Sequence, residues 1–213
     1  MTKRRAKRRV RRPDVTRDKL LKAAFEEMYR RGFQAAGLDA ILAKAGVTKG
    51  ALYHHFPDKA ALGQAVMDEV VRGLLLQRWS VGPLADLRRN PIPALQRILR
   101  RRAEALTARE VQLGCPLNNL AQEMSPLDER FRRRVSATFD TWTKAFGKAL
   151  AVGQADGTVR RDVDPDKIAG FIVAAIEGSY GLAKSANSPT LLRSNLAVLG
   201  TFLDTLRPAR KGG

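Results

Sequence analysis

Residues 38–56 read LDAILAKAGVTKGALYHHF, and the second half of this stretch gathers side chains suited to gripping a nucleic-acid duplex. Thr48 is placed to cap a helix, leaving the free N–H groups and positive dipole end of that helix pointing at a phosphate or groove. Lys49 can donate to guanine O6 and N7, and Ala51 can touch a thymine methyl. Gly50 between them lets the backbone come close. Tyr53 and His54, one turn further on, suit phosphate or base contact, although Tyr53 is also compatible with partial packing. Leu52 and Phe56 belong to the core. His54 and His55 are adjacent and point about 100° apart on a helix, a poor metal pair, so no metal or other cofactor is expected.

The other reactive group is Cys115, in the segment GCPLNNLAQEMS over 114–125. It follows a glycine and precedes Pro116, a residue favoured at the first helical position. A helix N-terminus lowers a thiol pKa, and a thiolate there would sense electrophiles or oxidants. A buried structural cysteine is the other reading.

Catalysis is not expected. The two histidines have neither zinc-like nor triad-like spacing, there is no Gly-rich phosphate loop, and the single cysteine has no histidine near it in sequence.

The elements that must position these residues are helices. Leu20, Leu21, Ala24, Phe25 and Met28 line one side of a helix from Thr16, read as its cap, to Arg31, and Gly32 stops it. Leu38, Ile41, Leu42 and Ala45 follow, ended by Gly46. Thr48 opens the third helix, with Val47 poised to staple onto Leu52. Pro57 ends it and Asp58 caps a fourth, to about Trp79, whose apolar positions include Leu62, Val66, Val70 and Leu74. Val81–Pro93 reads as a loop. Five more helices are expected over roughly 93–110, 115–124, 126–154, 164–184 and 189–206. No period-2 strand pattern is sustained, so the chain is expected to be all-α, with about nine helices.

Alone, the spacing in 38–56 is equally that of an αα-hairpin in a helical bundle. The residue pattern goes further. Leu21, Ala24, Phe25, Gly32-Phe33, Ile41, Ala45-Gly46-Val47-Thr48, Gly50, Leu52-Tyr53, His55-Phe56, Lys59 and Leu62 together resemble the DNA-binding domain of the TetR family of bacterial regulators, from Arg17 to about Leu62. The resemblance implies a three-helix helix-turn-helix domain at 13–60 and a larger ligand-binding and dimerisation domain at 61–213. It implies DNA contacts from Arg17, Thr48, Lys49, Gly50, Ala51, Tyr53, His54 and Lys59, with Lys59 gripping a phosphate. Where many members carry a threonine that caps helix two, this chain has Gly37, which offers no hydroxyl.

The formal net charge is +18, and residues 1–12 carry eight Lys/Arg and no acid, whereas residues 13–60 hold eight basic and six acidic side chains. Residues 1–12 are therefore expected to be a disordered basic arm that enters the minor groove or holds phosphates without specificity. An architectural, non-specific DNA binder acting through that arm is the alternative function.

A recognition helix of about seven residues covers few base pairs, so specific binding needs two copies on a two-fold operator. Ile168, Phe171, Ile172, Ala175, Ile176 and Ser179, with Leu191, Leu192, Leu196, Leu199, Phe202, Leu203 and Leu206, supply a stripe for a homodimer or for an internal core. Candidate effector-lining residues are Cys115, Asn118, Met124, Phe139, Trp142, Phe146, Glu177 and Tyr180. The 114–125 segment resembles a TetR subgroup with repressors that respond to electrophiles or small unsaturated compounds; that subgroup often has Gly where this chain has Asn118. The expected protein is a transcriptional repressor, with an activator as the other reading, released from a palindromic operator by a small molecule or by modification of Cys115.

No apolar run reaches the roughly 18 residues of a membrane span. The basic start lacks the apolar region of a secretory signal, and one cysteine suits a reducing compartment. A bacterial cytoplasmic location is expected, on the nucleoid when bound to DNA.

Overall fold

The computed structural model describes residues 15–79 and 90–209, all of whose regular structure is helical. The basic arm at 1–12 and most of the expected loop at 81–93 lie outside the described residues. Two compact units divide at Val66/Met67.

In the N-terminal unit α1 (Val15–Arg31) packs against α2 (Leu38–Ala45), α3 (Lys49–His55) and α4 (Lys59–Ala65). Leu20, Ala24, Ile41, Leu52 and Leu62 are at most 1% exposed and form its centre. Thr16 falls inside the first turn of α1, one residue past the helix start, and is not its cap as expected. Gly46 turns the chain between α2 and α3 at φ +65°, a left-handed conformation that costs glycine nothing. Gly37 precedes α2 with no side-chain cap, as its missing hydroxyl requires.

After α4 the chain makes a π-helical turn, Val66–Val71, before resuming as α5 (Arg72–Arg78). A π turn adds a residue to the helical repeat, so the buried stripe moves by one position. The expected face, Leu62, Val66, Val70 and Leu74, is followed only as far as Val66. Beyond it Met67, Val71, Leu75 and Trp79 are buried, while Val70 and Leu74 are half-buried.

The C-terminal unit contains α6 (Pro91–Glu104), α7 (Ala108–Leu113), α8 (Pro116–Met124), α9 (Glu129–Ala155), α10 (Pro165–Ser185) and α11 (Pro189–Asp204). The expected loop ends earlier than Pro93. Asn90 caps α6, and its prolines sit in the first turn, where no donated hydrogen bond is lost. The single helix expected over 93–110 is two, because Thr107 and Glu110 form a reciprocal capping box that starts α7. Helix α10 packs on α9 and α11, and α11 packs on α6. Gly153 permits the close approach of α9 to Pro91, since a Cβ there would lie 2.5 Å from the proline ring. Among the described residues no helix is long and apolar enough to cross a membrane.

Candidate functional site

Helix α3 presents its N-terminal turn outward. Thr48 precedes it in extended conformation and its hydroxyl accepts from the Ala51 N–H at 3.2 Å, satisfying one orphan donor. Lys49 and Gly50 are exposed and Ala51 is half-buried. Leu52 is completely buried, which fixes the rotation of the helix. Tyr53 is therefore turned outward, 46% exposed, with His54 beside it. The His54 and His55 rings meet edge to face at 5.1 Å, and His55 is half-buried, as expected for neighbours on one helix.

Two cations frame this helix. The Arg17 guanidinium lies 5.2 Å from the centre of the Phe56 ring. Lys59, at the start of α4, donates to the Gln34 carbonyl at 2.9 Å and sits 5.0 Å from the centre of the Phe33 ring. Asp58 caps α4 by accepting from Ala61 at 2.7 Å, which places Lys59 in the first helical position. Eight expected contact residues thus lie on α1, α3 and the start of α4.

In the C-terminal unit the structure gathers three of the expected lining residues: Cys115, Glu177 and Tyr180. Cys115 is the N-cap residue of α8 with Pro116 at the first position, matching the expected helix start. Cys115 is buried, 6% exposed, which bears on the choice between a reactive and a structural cysteine. Burial and the neighbouring Glu177 carboxyl push the thiol pKa well above its ordinary value. The backbone N–H groups of Asn118 and Leu117 pull it down, as a helix N-terminus should, but burial outweighs them. Burial therefore works against the thiolate that the sensor reading needs.

Glu177 is only 7% exposed, and among the described residues no nitrogen or oxygen donor pairs with either carboxyl oxygen. Burial pushes its pKa up to about 7, with the Cys115 thiol pulling the other way. Tyr180, one turn along α10, accepts from Arg102 Nε at 2.8 Å, and burial holds its phenol up at about 12. Arg102 also donates to Glu110 at 2.8 Å, and Arg78 reaches the same carboxylate at 2.6 Å. The result is a chain of polar groups, Arg78–Glu110–Arg102–Tyr180, inside the helical unit.

A second group is aromatic. Trp142 stacks on Trp79 at 5.1 Å and neighbours Phe139 and Phe146, and its buried indole N–H has no acceptor among the described residues. Met124 is buried, while Asn118 is half-buried and accepts from Gln122 at 3.5 Å. Arg102, Glu110, Arg78 and Trp79 were missed from the sequence. Arg102 is hidden in the run Arg100-Arg101-Arg102, which reads as a solvated face. Its phase with Leu95, Ile98 and Leu99 was the available signal, because those positions share one side of α6.

Comparison with known proteins gives the same picture as the geometry. Residues 20–66 match the model of the bacterial regulatory proteins, tetR family, and residues 91–199 match the tetracyclin repressor-like C-terminal domain. The HTH-type transcriptional repressor DhaR of Mycobacterium sp. strain GP1 is 32% identical, the match covering 76% of this chain and 79% of that protein. Transcriptional regulator AcuR of Cereibacter sphaeroides is also 32% identical, over 87% of this chain and 84% of its own length. Among solved structures, a regulatory protein TetR from Rhodobacter sphaeroides superposes with a TM-score of 0.75 at 29% identity, covering 88% of this chain and 98% of that one. A TetR regulator from Chloroflexus aurantiacus gives 0.78 at 28% identity, over 91% and 97%. The chain belongs to the tetR family of bacterial regulatory proteins, and is a DNA-binding transcription regulator.

Proposed function

We propose that this protein is a homodimeric repressor that binds a palindromic operator through α3 and is released by a small-molecule effector held in its C-terminal unit. The observation that carries the reading is the outward N-terminal turn of α3, with Lys49, Gly50 and Tyr53 exposed while Leu52 anchors the helix. Lys49 and Ala51 read base edges, Tyr53 and His54 contact base or phosphate, and Arg17, Thr48 and Lys59 hold the backbone. The arm at 1–12 adds attraction that falls with salt.

Dimerisation uses α10 and α11. Phe171, Leu182 and Val198 are exposed apolar residues on these helices, and Phe171 meets Phe202 at 5.2 Å to join the two. Gly178 and Gly181 face open space, where a partner helix can approach. Effector binding beside Glu177 and Tyr180 favours a conformation whose reading heads no longer match the half-site spacing. A coupling of about 1–3 kcal/mol weakens DNA binding roughly 5- to 150-fold. The protein acts in the bacterial cytoplasm, on the nucleoid when bound.

Modification of Cys115 as the release signal is the weaker of the two routes, because a buried protonated thiol is a poor nucleophile. Selection from random duplexes tests the proposal: recovery of a two-fold symmetric sequence supports it. Recovery of no preferred sequence favours the non-specific binder acting through its arm.

A further inference from the structure

Glu177 is the one group of the C-terminal cluster whose bonding is left open. Buried polar groups are normally paired, yet among the described residues this almost fully buried carboxyl has beside it only the Cys115 thiol, a weak donor, and no nitrogen or oxygen donor. Its surroundings are specific. The Cys115 thiol faces it from the start of α8. Tyr180 stands one turn along α10 with its hydroxyl already bonded to Arg102. Arg102 and Arg78 both engage Glu110 from α6 and α5. Lys184, two turns along α10, donates to Asn119 at 3.2 Å. The cations of this neighbourhood are thus engaged elsewhere, and burial and the Cys115 thiol are the influences acting on Glu177.

Building on the effector reading above, we propose that Glu177 recognises a small organic cation, whose charged nitrogen pairs with its carboxylate, for which the described residues supply no ion-pair partner. The electrostatics select that class. Above pH about 7, where the carboxylate carries its charge, an anion would be repelled. A neutral donor would satisfy an oxygen but leave the charge uncompensated. A cation supplies both a hydrogen bond and the missing countercharge, in a setting where water screens neither. The neutral Cys115 thiol adds no competing charge beside the pair.

This assignment fixes the sign of a pH effect. Below pH about 7 the free carboxyl is protonated, so binding a cation must expel that proton. Affinity then falls close to tenfold per pH unit below about 7 and is level above it. One proton is released for each cation bound in the acid range.

Calorimetric titration of the full chain with n-butylammonium chloride, sodium butyrate and butanol, from pH 5.5 to 8.5, tests this. Butylammonium should bind more tightly than the other two, with the stated pH dependence, and Glu177→Gln should weaken it at least tenfold and flatten the pH profile. Infrared difference spectra of the unaltered chain give a second readout that needs no variant. A protonated-carboxyl band should vanish when butylammonium saturates the protein at pH 6. Tighter binding of butyrate, equal binding to Glu177→Gln, no butylammonium binding, or a persistent band would each overturn the proposal. Butylammonium that binds without weakening DNA affinity would count against the effector mechanism and leave the cation site standing.

Discussion

Arg102 Nε donates to the Tyr180 hydroxyl at 2.8 Å, tying α6 to α10 inside the C-terminal unit. The same guanidinium binds Glu110, whose carboxylate also holds Arg78, so three helices and the end of α5 meet at one set of charges. Burial pushes the Glu110 pKa up, but the Thr107 backbone N–H and the two guanidiniums outweigh it and hold it below the usual carboxylate range. Removing Arg102 leaves a part-buried carboxylate with one cation fewer. Arg102→Met should destabilise by about 3 kcal/mol, toward the lower end for a broken buried pair. Tyr180→Phe should cost only about 1 kcal/mol, one hydrogen bond. Urea denaturation of both variants checks the order, and equal losses would contradict it.

Glu177 makes stability depend on pH in the less common direction. Its folded pKa, about 7, lies above the ordinary value of 4.5, so the folded chain binds the extra proton between those limits. Stability must therefore fall as pH rises from about 4.5 to 7 and then level, by at most about 3 kcal/mol from this group. Glu177→Gln removes that penalty. It should raise Tm at pH 8 and leave it nearly unchanged at pH 4.5. The comparison of melting curves at the two values decides.

The dimer surface is tested by charge. Val198 is 66% exposed on α11, so Val198→Glu should leave the fold of a single chain intact. Light scattering should then report a monomer where the proposal predicts a dimer for the unaltered protein, and operator affinity should fall with it. A Val198→Glu protein that stays dimeric would place the interface elsewhere.

Lys59 tests the backbone grip. Its ammonium is held against Gln34 and Phe33 at the start of α4. Lys59→Ala should weaken DNA binding about equally for all sequences and reduce the salt slope by about one. An unchanged slope means that this ammonium does not reach a phosphate.

The sequence was most informative where one local rule decides the structure. The turn at Gly46, the caps at Thr48 and Asp58 and the burial of Leu52 were readable because each depends on residues within one helical turn. The outward set on α3 followed from that burial. Less was legible where spacing changes without a breaker. Nothing in Val66–Val71 announces a π turn, and so the buried stripe passes from Val66 to Val71 and Leu75 unannounced. The break at Thr107 was masked because Ala105, Leu106 and Ala108 around it are all compatible with a continuing helix. Cys115 shows a competition that sequence cannot weigh: the helix-terminal N–H groups were foreseen, but the burial that overrides them is tertiary.

The central claim is that α3 reads the operator, and binding by matched variants tests it most directly. Fluorescence anisotropy should compare the unaltered chain, Lys49→Ala and Tyr53→Ala on the selected palindrome and on a scrambled duplex at one salt concentration. The account predicts that each variant loses about 1–3 kcal/mol on the palindrome, up to about a hundredfold, and far less on the scrambled duplex, with the melting temperature unchanged. Equal losses on both duplexes, or none on either, would contradict it.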